Sequence, residues 1–178
     1  MIVQTVLQEE DYLTYLLYSA SKNKRSKANR RRSWLVLSFG FFALAFVLRY
    51  QNEFLAYWFL FCGIITLIFF PLYQRYSYKK HYQKFLMDKL GYRIDKESII
   101  DFGSDIIETK DAGGESKIYT TELSEINEIS THYFVRLKSG DALVIPKAAV
   151  SSSFVNDLLT IFQNPNIHVT QELGWRWK

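Results

Sequence analysis

Residues 54–73 read FLAYWFLFCGIITLIFFPLY, twenty consecutive residues without a charged side chain. As an α-helix this stretch is about 30 Å long, which matches the hydrocarbon core of a bilayer. Pro71 lies near its end, where the loss of one backbone hydrogen bond is tolerated. The stretch therefore predicts a membrane-spanning helix.

A second uncharged stretch, residues 34–48, precedes the first and reads WLVLSFGFFALAFVL. As a helix it covers only about 22 Å, which is short for a hydrocarbon core of about 30 Å. Its flanks lengthen it, because Arg32 and Arg49 extend their charges outward along aliphatic stems. Trp34 and Tyr50 suit the membrane interface. We therefore predict a second span.

Only residues 49–53 separate the two stretches, enough for a tight turn but not for a domain. Residues 33–73 are therefore predicted to form a transmembrane helical hairpin, with spans at about 33–50 and 54–73. A buried helical hairpin in a soluble protein stays open as the alternative. Small residues in both spans permit close helix contact, so a homo-oligomer is also open. They are Ser38, Gly40, Ala43, Ala45, Ala56, Gly63 and Thr66.

Basic residues flank the hairpin on both sides. Residues 22–32 contain seven basic and no acidic residues, and residues 75–96 contain seven basic and two acidic ones. Because cytoplasmic flanks of membrane spans are enriched in Lys and Arg, we expect both termini in the cytoplasm and the turn outside. The residues expected to set orientation or to anchor the hairpin at the interface are Arg30, Arg31, Arg32, Trp34, Arg49, Trp58, Tyr73, Arg75, Lys79 and Lys80.

The basic flanks have two other conceivable partners. Lys and Arg neutralise the phosphates of nucleic acids, but the orientation rule already accounts for these charges, and we predict no nucleic-acid partner. An anionic lipid surface attracts each such residue by about 1 kcal/mol, so anionic-lipid binding stays open. Residues 97–178 carry twelve acidic and seven basic residues, which confines the positive charge to the flanks.

Residues 1–32 are predicted to form an N-terminal strand and a basic amphipathic helix. Residues 2–7 alternate enough for a strand, and Glu9, Glu10 and Asp11 favour a helix start by complementing its dipole. We expect this helix to run through the basic segment towards the first span. The N-terminal stretch lacks the pattern of a cleavable signal peptide.

Residues 74–90 are predicted to form a connecting helix that ends at Gly91. Beyond it, residues 91–178 are predicted to form a small cytoplasmic β domain, because the apolar period changes to two. Turns are expected at 111–114 and 139–141. The predicted strands are 92–94, 98–102, 105–110, 116–121, 126–130, 132–138 and 142–145.

A C-terminal helix is predicted over residues 148–163, capped by the serines at 151–153 and packed by its apolar side over an open sheet. In the tail after it, a further strand is predicted at 167–170. It ends in two aromatic residues, Trp175 and Trp177, which we expect to be exposed.

Catalytic and metal-binding patterns are missing from the sequence. The single cysteine, Cys62, allows no intrachain disulfide. His81, His132 and His168 are far apart and are interpreted as surface or turn residues. No nucleophile with a base, paired carboxylates or phosphate loop appears at a recognisable spacing. We therefore predict a protein that is not an enzyme and that has no cofactor or metal.

Several features together resemble the YcxB-like family of bacterial membrane proteins. They are an N-terminal strand leading into Glu10, Asp11 and Tyr12, a basic helix, two spans, a β meander, and the residues 143–147, LVIPK, before a serine-capped helix. The resemblance implies a pleckstrin-homology-like cytoplasmic domain and a location in the bacterial inner membrane. It implies no catalytic or cofactor residues.

The sequence thus predicts a membrane α+β protein, a two-pass transmembrane hairpin carrying an antiparallel β domain with a C-terminal helix. We expect it to present this domain for protein interaction or regulation at the lipid bilayer, with a protein partner not yet identified. An immunity-type protein that protects against a membrane-acting toxin stays open by analogy. Arg136, Lys138 and Lys147 are candidates for a binding rim, against the simpler interpretation of a solvated strand face.

Overall fold

A computed structural model describes residues 1–162 and 167–177. It is an α+β protein with two β-sheets and two long apolar helices. The chain divides into two compact units. The first, the β unit, comprises Met1–Leu16 and Lys84–Arg176, and the second, the helical unit, comprises Leu17–Gln83 together with Trp177.

The helices before the sheets are α1 (Glu9–Lys22), α2 (Lys24–Leu48) and α3 (Glu53–Leu90). Helices α2 and α3 confirm the two predicted apolar helices and their short connection. The second begins where the Oδ1 of Asn52 accepts a hydrogen bond from the backbone N–H of Leu55 at 3.1 Å. Both helices are long and apolar enough to cross a membrane.

One helix prediction differs from the structure, and two other predicted segments join into a single helix. The basic helix does not run unbroken to the first span, because Asn23 ends α1 and caps α2: its Oδ1 accepts hydrogen bonds from the backbone N–H groups of Arg25 and Ser26. The predicted second span and connecting helix follow each other without a break as one helix, α3, which contains Pro71 and ends at Leu90, beside the predicted stop at Gly91.

The first sheet is antiparallel in the order β1-β2-β3-β4. Its first strand pairs with the second from Ile2 opposite Asp101 to Val6 opposite Glu97. The predicted division at residue 32 separates β1 from these partners, because alternation reveals a strand but not its neighbour. The strands are β1 (Ile2–Val6), β2 (Glu97–Phe102), β3 (Ile106–Asp111) and β4 (Gly114–Tyr119).

The second sheet has the order β7-β6-β5-β8 and is mixed. Strand β8 runs parallel to β5, so the expectation of purely antiparallel pairing is wrong for this strand. A parallel neighbour needs a crossover, which the segment containing the C-terminal helix supplies. The strands are β5 (Leu123–Glu128), β6 (His132–Leu137), β7 (Ala142–Pro146) and β8 (His168–Gln171).

Most predicted strands are confirmed with shifts of one to three residues at their ends, but the strand at 92–94 is wrong. Residues Gly91–Arg93 form a 3₁₀ turn, in which the N–H of Ile94 bonds to the carbonyl of Gly91. The predicted tight turns are confirmed. Asp111 Oδ1 accepts from the N–H of Gly113 at 2.7 Å, and Gly114 adopts φ +127°, which favours glycine.

The C-terminal helix, α4 (Phe154–Phe162), begins six residues later than predicted. Residues Lys147–Ala149 form a 3₁₀ turn, and Val150 is extended, so the chain cannot enter the helix before the serines. Ser153 precedes the helix, and its hydroxyl donates to Asp157 at 2.8 Å. The predicted end at Gln163 lies outside the described residues.

Helix α4 completes the core of the β unit, as predicted. Phe154, Leu158 and Phe162 are buried in one cluster with residues of both sheets. The ring of Phe102 on β2 lies 6.0 Å from that of Phe154 and 6.1 Å from that of Phe162. Tyr133 on β6 lies 5.2 Å from Phe154. One helix therefore fills the space that neither sheet closes alone.

Candidate functional site

The most unusual surface of the molecule is the outside of the α2–α3 hairpin. Phe39 and Phe46 on α2 are 65% and 64% exposed, and Phe69 on α3 is 58% exposed. In the most apolar 18-residue stretch of each helix, only 11% is buried inside the structure. A core helix of a soluble protein would bury most of such a stretch. The alternative of a buried hairpin is therefore disfavoured by the exposure of these side chains.

The hairpin contains a polar contact that explains how Pro71 is accommodated. A proline lacks the N–H that would bond to the carbonyl four residues earlier, which here is the carbonyl of Leu67. The indole Nε1 of Trp34 donates to this carbonyl at 3.1 Å. Trp34, expected only as an interface anchor, thus also joins the two helices and satisfies the backbone group that Pro71 leaves free.

Small residues bring the two helices close together. Ser38, Ala45 and Ala56 are buried, and Gly63 lies so near Phe42 that an added Cβ would be 3.0 Å from that ring. These are the positions at which close helix contact was predicted, and they serve it within one chain. A homo-oligomer stays a prediction.

An aromatic cluster, which we define as Arg30, Tyr78 and Trp177, lies at the end of the hairpin that carries the basic flanks. The guanidinium of Arg30 lies 4.8 Å from the ring centre of Trp177 and 5.8 Å from that of Tyr78. The indole of Trp177 donates to the carbonyl of Arg75 at 3.2 Å. Trp177 is only 9% exposed, so its predicted exposure is wrong. Arg30 acts here through cation–π contact.

The other predicted anchors lie on the surface. Arg31, Arg32, Arg75, Lys79 and Lys80 are exposed.

Trp58 and Tyr73, on the apolar part of α3, are 55% and 64% exposed. Arg49, at the turn, places its guanidinium 4.5 Å from the ring of Phe46 and hydrogen-bonds to the hydroxyl of Tyr50. Long basic stems and amphipathic rings at the two ends of an apolar helix pair are the arrangement found at membrane interfaces.

The candidate rim of the β unit is largely neutralised. Arg136 Nη1 lies 2.9 Å from Glu125 Oε1, and Lys147 Nζ lies 2.6 Å from Glu128 Oε1. Lys138 is exposed. Two of the three basic groups are thus matched by acids on β5, which reduces the positive potential that an anionic ligand would meet.

A buried polar contact in the β unit was missed by the sequence interpretation. His132 is buried, and its Nε2 lies 2.8 Å from Asp11 Oδ1 while its Nδ1 lies 2.7 Å from Thr131 Oγ1. Its predicted surface position is wrong, because helix α1 covers the outer side of β6. Tyr15 of α1 packs there on Phe134, with ring centres 5.5 Å apart. An apolar Phe134 two positions after His132 was the signal that this side of the strand is covered.

Asp11 has a second role in the same contact. Its Oδ2 accepts a hydrogen bond from the backbone N–H of Gln8 at 2.7 Å, which closes the first turn of α1. Both ring nitrogens of His132 are also occupied. We therefore interpret the pair as a fastening of α1 to the second sheet rather than as an acid–base site.

A second polar group lies beside the turn between β3 and β4. The Nε of Arg93 is 3.5 Å from Asp111 Oδ2, and a Cβ added at Gly113 would be 2.5 Å from the guanidinium. Burial, with Asp111 as the next cause, raises the pKa of Tyr12 above its usual value. A side chain at position 113 would displace the guanidinium of Arg93 from Asp111. Within the described residues there is no group of three His, Cys, Asp or Glu side chains placed to bind a metal ion.

Comparisons of the chain with protein-family models, with curated proteins and with solved structures found no match. The resemblance to the YcxB-like family therefore stays a prediction.

Proposed function

We propose that this chain is a two-pass integral membrane protein whose hairpin anchors the β unit at the cytoplasmic side of a bacterial inner membrane. The β unit then serves protein interaction or regulation rather than catalysis. The observation that carries the proposal is the exposure of large apolar side chains on both helices of the hairpin. In water such a surface would drive aggregation, whereas in lipid it needs no further partner.

The length of α3 supports this arrangement. Its 38 residues rise about 57 Å, well beyond a hydrocarbon core of about 30 Å. The apolar part ends near Tyr73, and the remainder carries Arg75, Lys79 and Lys80. A helix that leaves the bilayer on the basic side fits the expected orientation, with the 49–52 turn outside.

We further propose that the β unit is a pleckstrin-homology-like domain. Two four-stranded sheets with a C-terminal helix packed on their shared core support it, as does the pairing of most strands with their sequence neighbours. Strand β1 at the edge of the first sheet and the parallel strand β8 at the edge of the second would be additions to such a domain. Fold likeness of this kind suggests a binding role only by analogy.

The exposed surface of the first sheet offers a place for a partner. Strand β4 ends the sheet order, and Gly114–Lys117 are exposed along it. Its ion pairs, Lys110 with Glu115 and Lys117 with Glu108, restrain unspecific pairing, as charges on edge strands do. A peptide added at this edge would gain main-chain hydrogen bonds and be selected by these charges.

Two measurements test the proposal. Alkaline carbonate extraction of membranes from cells that make the full chain should leave it in the membrane pellet. A photo-cross-linking amino acid at Ser116 on β4 should then give one discrete adduct in intact cells. The matched position is Asn156, exposed on α4.

The outcomes separate the two parts of the proposal. Release by carbonate would overturn the membrane anchor. Retention, with no adduct at either position or with the same smear of adducts at both, would overturn the interaction role. A discrete adduct at Asn156 alone would move the binding surface from the β4 edge to the helix.

A further inference from the structure

We propose that one face of α2, formed by Lys27, Arg31 and Arg32, binds the phosphate of an anionic phospholipid whose acyl chain lies along Leu35 and Val36. This inference rests on the proposed function, because it places α2 in a bilayer. It goes further by assigning a ligand class and a defined site to residues that otherwise only set orientation.

The geometry of the face is that of two adjacent rows of a helix. Residues four apart lie one above the other, so Lys27, Arg31 and Leu35 form one row. Ala28, Arg32 and Val36 form the next, and the two rows line a shallow groove of about 530 Å³. In both rows a basic side chain is followed one turn later by an apolar one.

The charges of this face are available to a ligand. Lys27, Arg31 and Arg32 are exposed, and within residues 1–162 and 167–177 none of them makes an ion pair. Their neighbour Arg30 is occupied by the rings of Tyr78 and Trp177. The three consecutive arginines therefore differ in their contacts. Arg30 is bound by aromatic rings of its own chain, whereas Arg31 and Arg32 are available to a ligand.

The basic part of the groove is about as long, along the helix axis, as a lipid headgroup layer is thick. Lys27 and Arg32 are five positions apart, a rise of about 7.5 Å, and the headgroup layer on each side of a bilayer is about 5–8 Å thick. The first row continues through Leu35 to Phe39, which is 65% exposed. An acyl chain would thus find a continuous apolar path below the charges.

The apolar half of the groove favours a lipid over a nucleic acid. A nucleic acid would use the basic side chains but would make no contact with Leu35 and Val36, which lie one turn further along the helix. A phospholipid satisfies both halves at once, with phosphate above and hydrocarbon below. The available charge of the rim on the β unit is smaller, because Arg136 and Lys147 are paired with acids.

The test uses the full chain in nanodiscs that contain equal amounts of phosphatidylglycerol and phosphatidylethanolamine. Native mass spectrometry after release from the nanodisc gives the ratio of the two lipids that stay bound. The site variant carries Lys27→Gln, Arg31→Gln and Arg32→Gln. The control variant carries Lys24→Gln, Arg25→Gln and Lys84→Gln, which remove three exposed charges from the same flanks outside the groove.

We expect the unaltered chain to retain phosphatidylglycerol preferentially. Each charge removed from the groove should lower this preference about fivefold, so the site variant should lose about 100-fold. The control variant should keep the ratio of the unaltered chain. A variant with Lys27→Arg, Arg31→Lys and Arg32→Lys should restore most of the preference, because the charges are retained.

Three results would overturn the lipid site. One is the absence of a lipid preference in the unaltered chain, and another is an equal loss in the site and control variants, which would indicate diffuse attraction. The third is binding of a fluorescent oligonucleotide that the site variant abolishes, without phosphatidylglycerol enrichment. Carbonate extraction of membranes from cells that make the full chain separates these failures from failure of the anchor: if the chain is retained there, only the lipid site is lost.

Discussion

The two units of this protein place phenylalanine side chains in opposite environments. In the β unit Phe102, Phe134 and Phe154 are at most 1% exposed, whereas Phe39 and Phe69 of the helical unit are 65% and 58% exposed. Burial from water stabilises a phenylalanine by about 1.5–3 kcal/mol. The β unit obtains this stabilisation from its own core. The hairpin must obtain it from its surroundings, which we propose to be a bilayer.

The largest expected effect contrasts one phenylalanine from each unit. Phe102→Ala should destabilise the β unit by about 3–5 kcal/mol, because it leaves a cavity beside Phe154 and Phe162. Phe69→Ala removes an equal volume from an exposed site and should leave the unfolding of the β unit unchanged. Denaturant unfolding in mild detergent, followed by near-ultraviolet circular dichroism, measures both. Equal losses would contradict the contrast.

A charge should be tolerated on the surface of the β unit but not on that of the hairpin. Ile64→Lys places a charge in the apolar part of α3, at a cost of about 2.5–3.5 kcal/mol for insertion. Ile2→Lys on β1 is the control, since Ile2 is even more exposed, at 64% against 45%. The fraction retained by membranes after carbonate extraction should fall for Ile64→Lys alone. If it is unchanged, the surroundings of α3 are not lipid.

The polar contact between α1 and the second sheet should matter less than the core. Asp11→Ala leaves the Nε2 of buried His132 and the N–H of Gln8 without their acceptor, at a cost of about 1–3 kcal/mol. Glu115→Ala removes an exposed ion pair with Lys110 and should leave stability unchanged. Thermal unfolding of both variants checks this difference. An unchanged melting temperature for Asp11→Ala would show that the contact is not stabilising.

The smallest expected effect lies inside the hairpin and couples two residues. Trp34→Phe removes the donor to the carbonyl of Leu67 and should cost about 1 kcal/mol. Pro71→Ala supplies a backbone N–H for that carbonyl, so Trp34→Phe should cost less in its presence. A double-mutant cycle of helix unfolding in detergent measures the coupling. Additive costs would mean that the tryptophan does not compensate for the proline.

Features that depend on local pattern could be predicted from the sequence. The two apolar helices follow from the length of charge-free stretches, and most strands follow from alternation. The turn at Gly113 and Gly114 follows from residue chemistry. The strand at 92–94 fails because the helix end at Gly91 continues into a 3₁₀ turn, which alternation over three residues does not reveal.

Features that depend on distant partners could not be predicted. The pairing of β1 with β2 joins residues about one hundred positions apart, and β8 returns beside β5 in parallel. The burial of His132 depends on α1, and the burial of Trp177 depends on Arg30 and Arg75. From the sequence alone, Arg30, Arg31 and Arg32 are likewise equivalent. Their positions around the helix separate Arg30, a structural residue, from Arg31 and Arg32, two candidate ligand residues.

The measurement that tests the central claim most directly is cysteine accessibility in intact cells. In a Cys62→Ser background, single cysteines replace Asn52 in the turn and Ser139 in the β unit, both of which are exposed. A membrane-impermeant maleimide should label position 52 in intact cells and position 139 only after lysis. Labelling of position 139 alone would reverse the orientation. Protection of both positions until lysis would contradict a hairpin that spans the membrane.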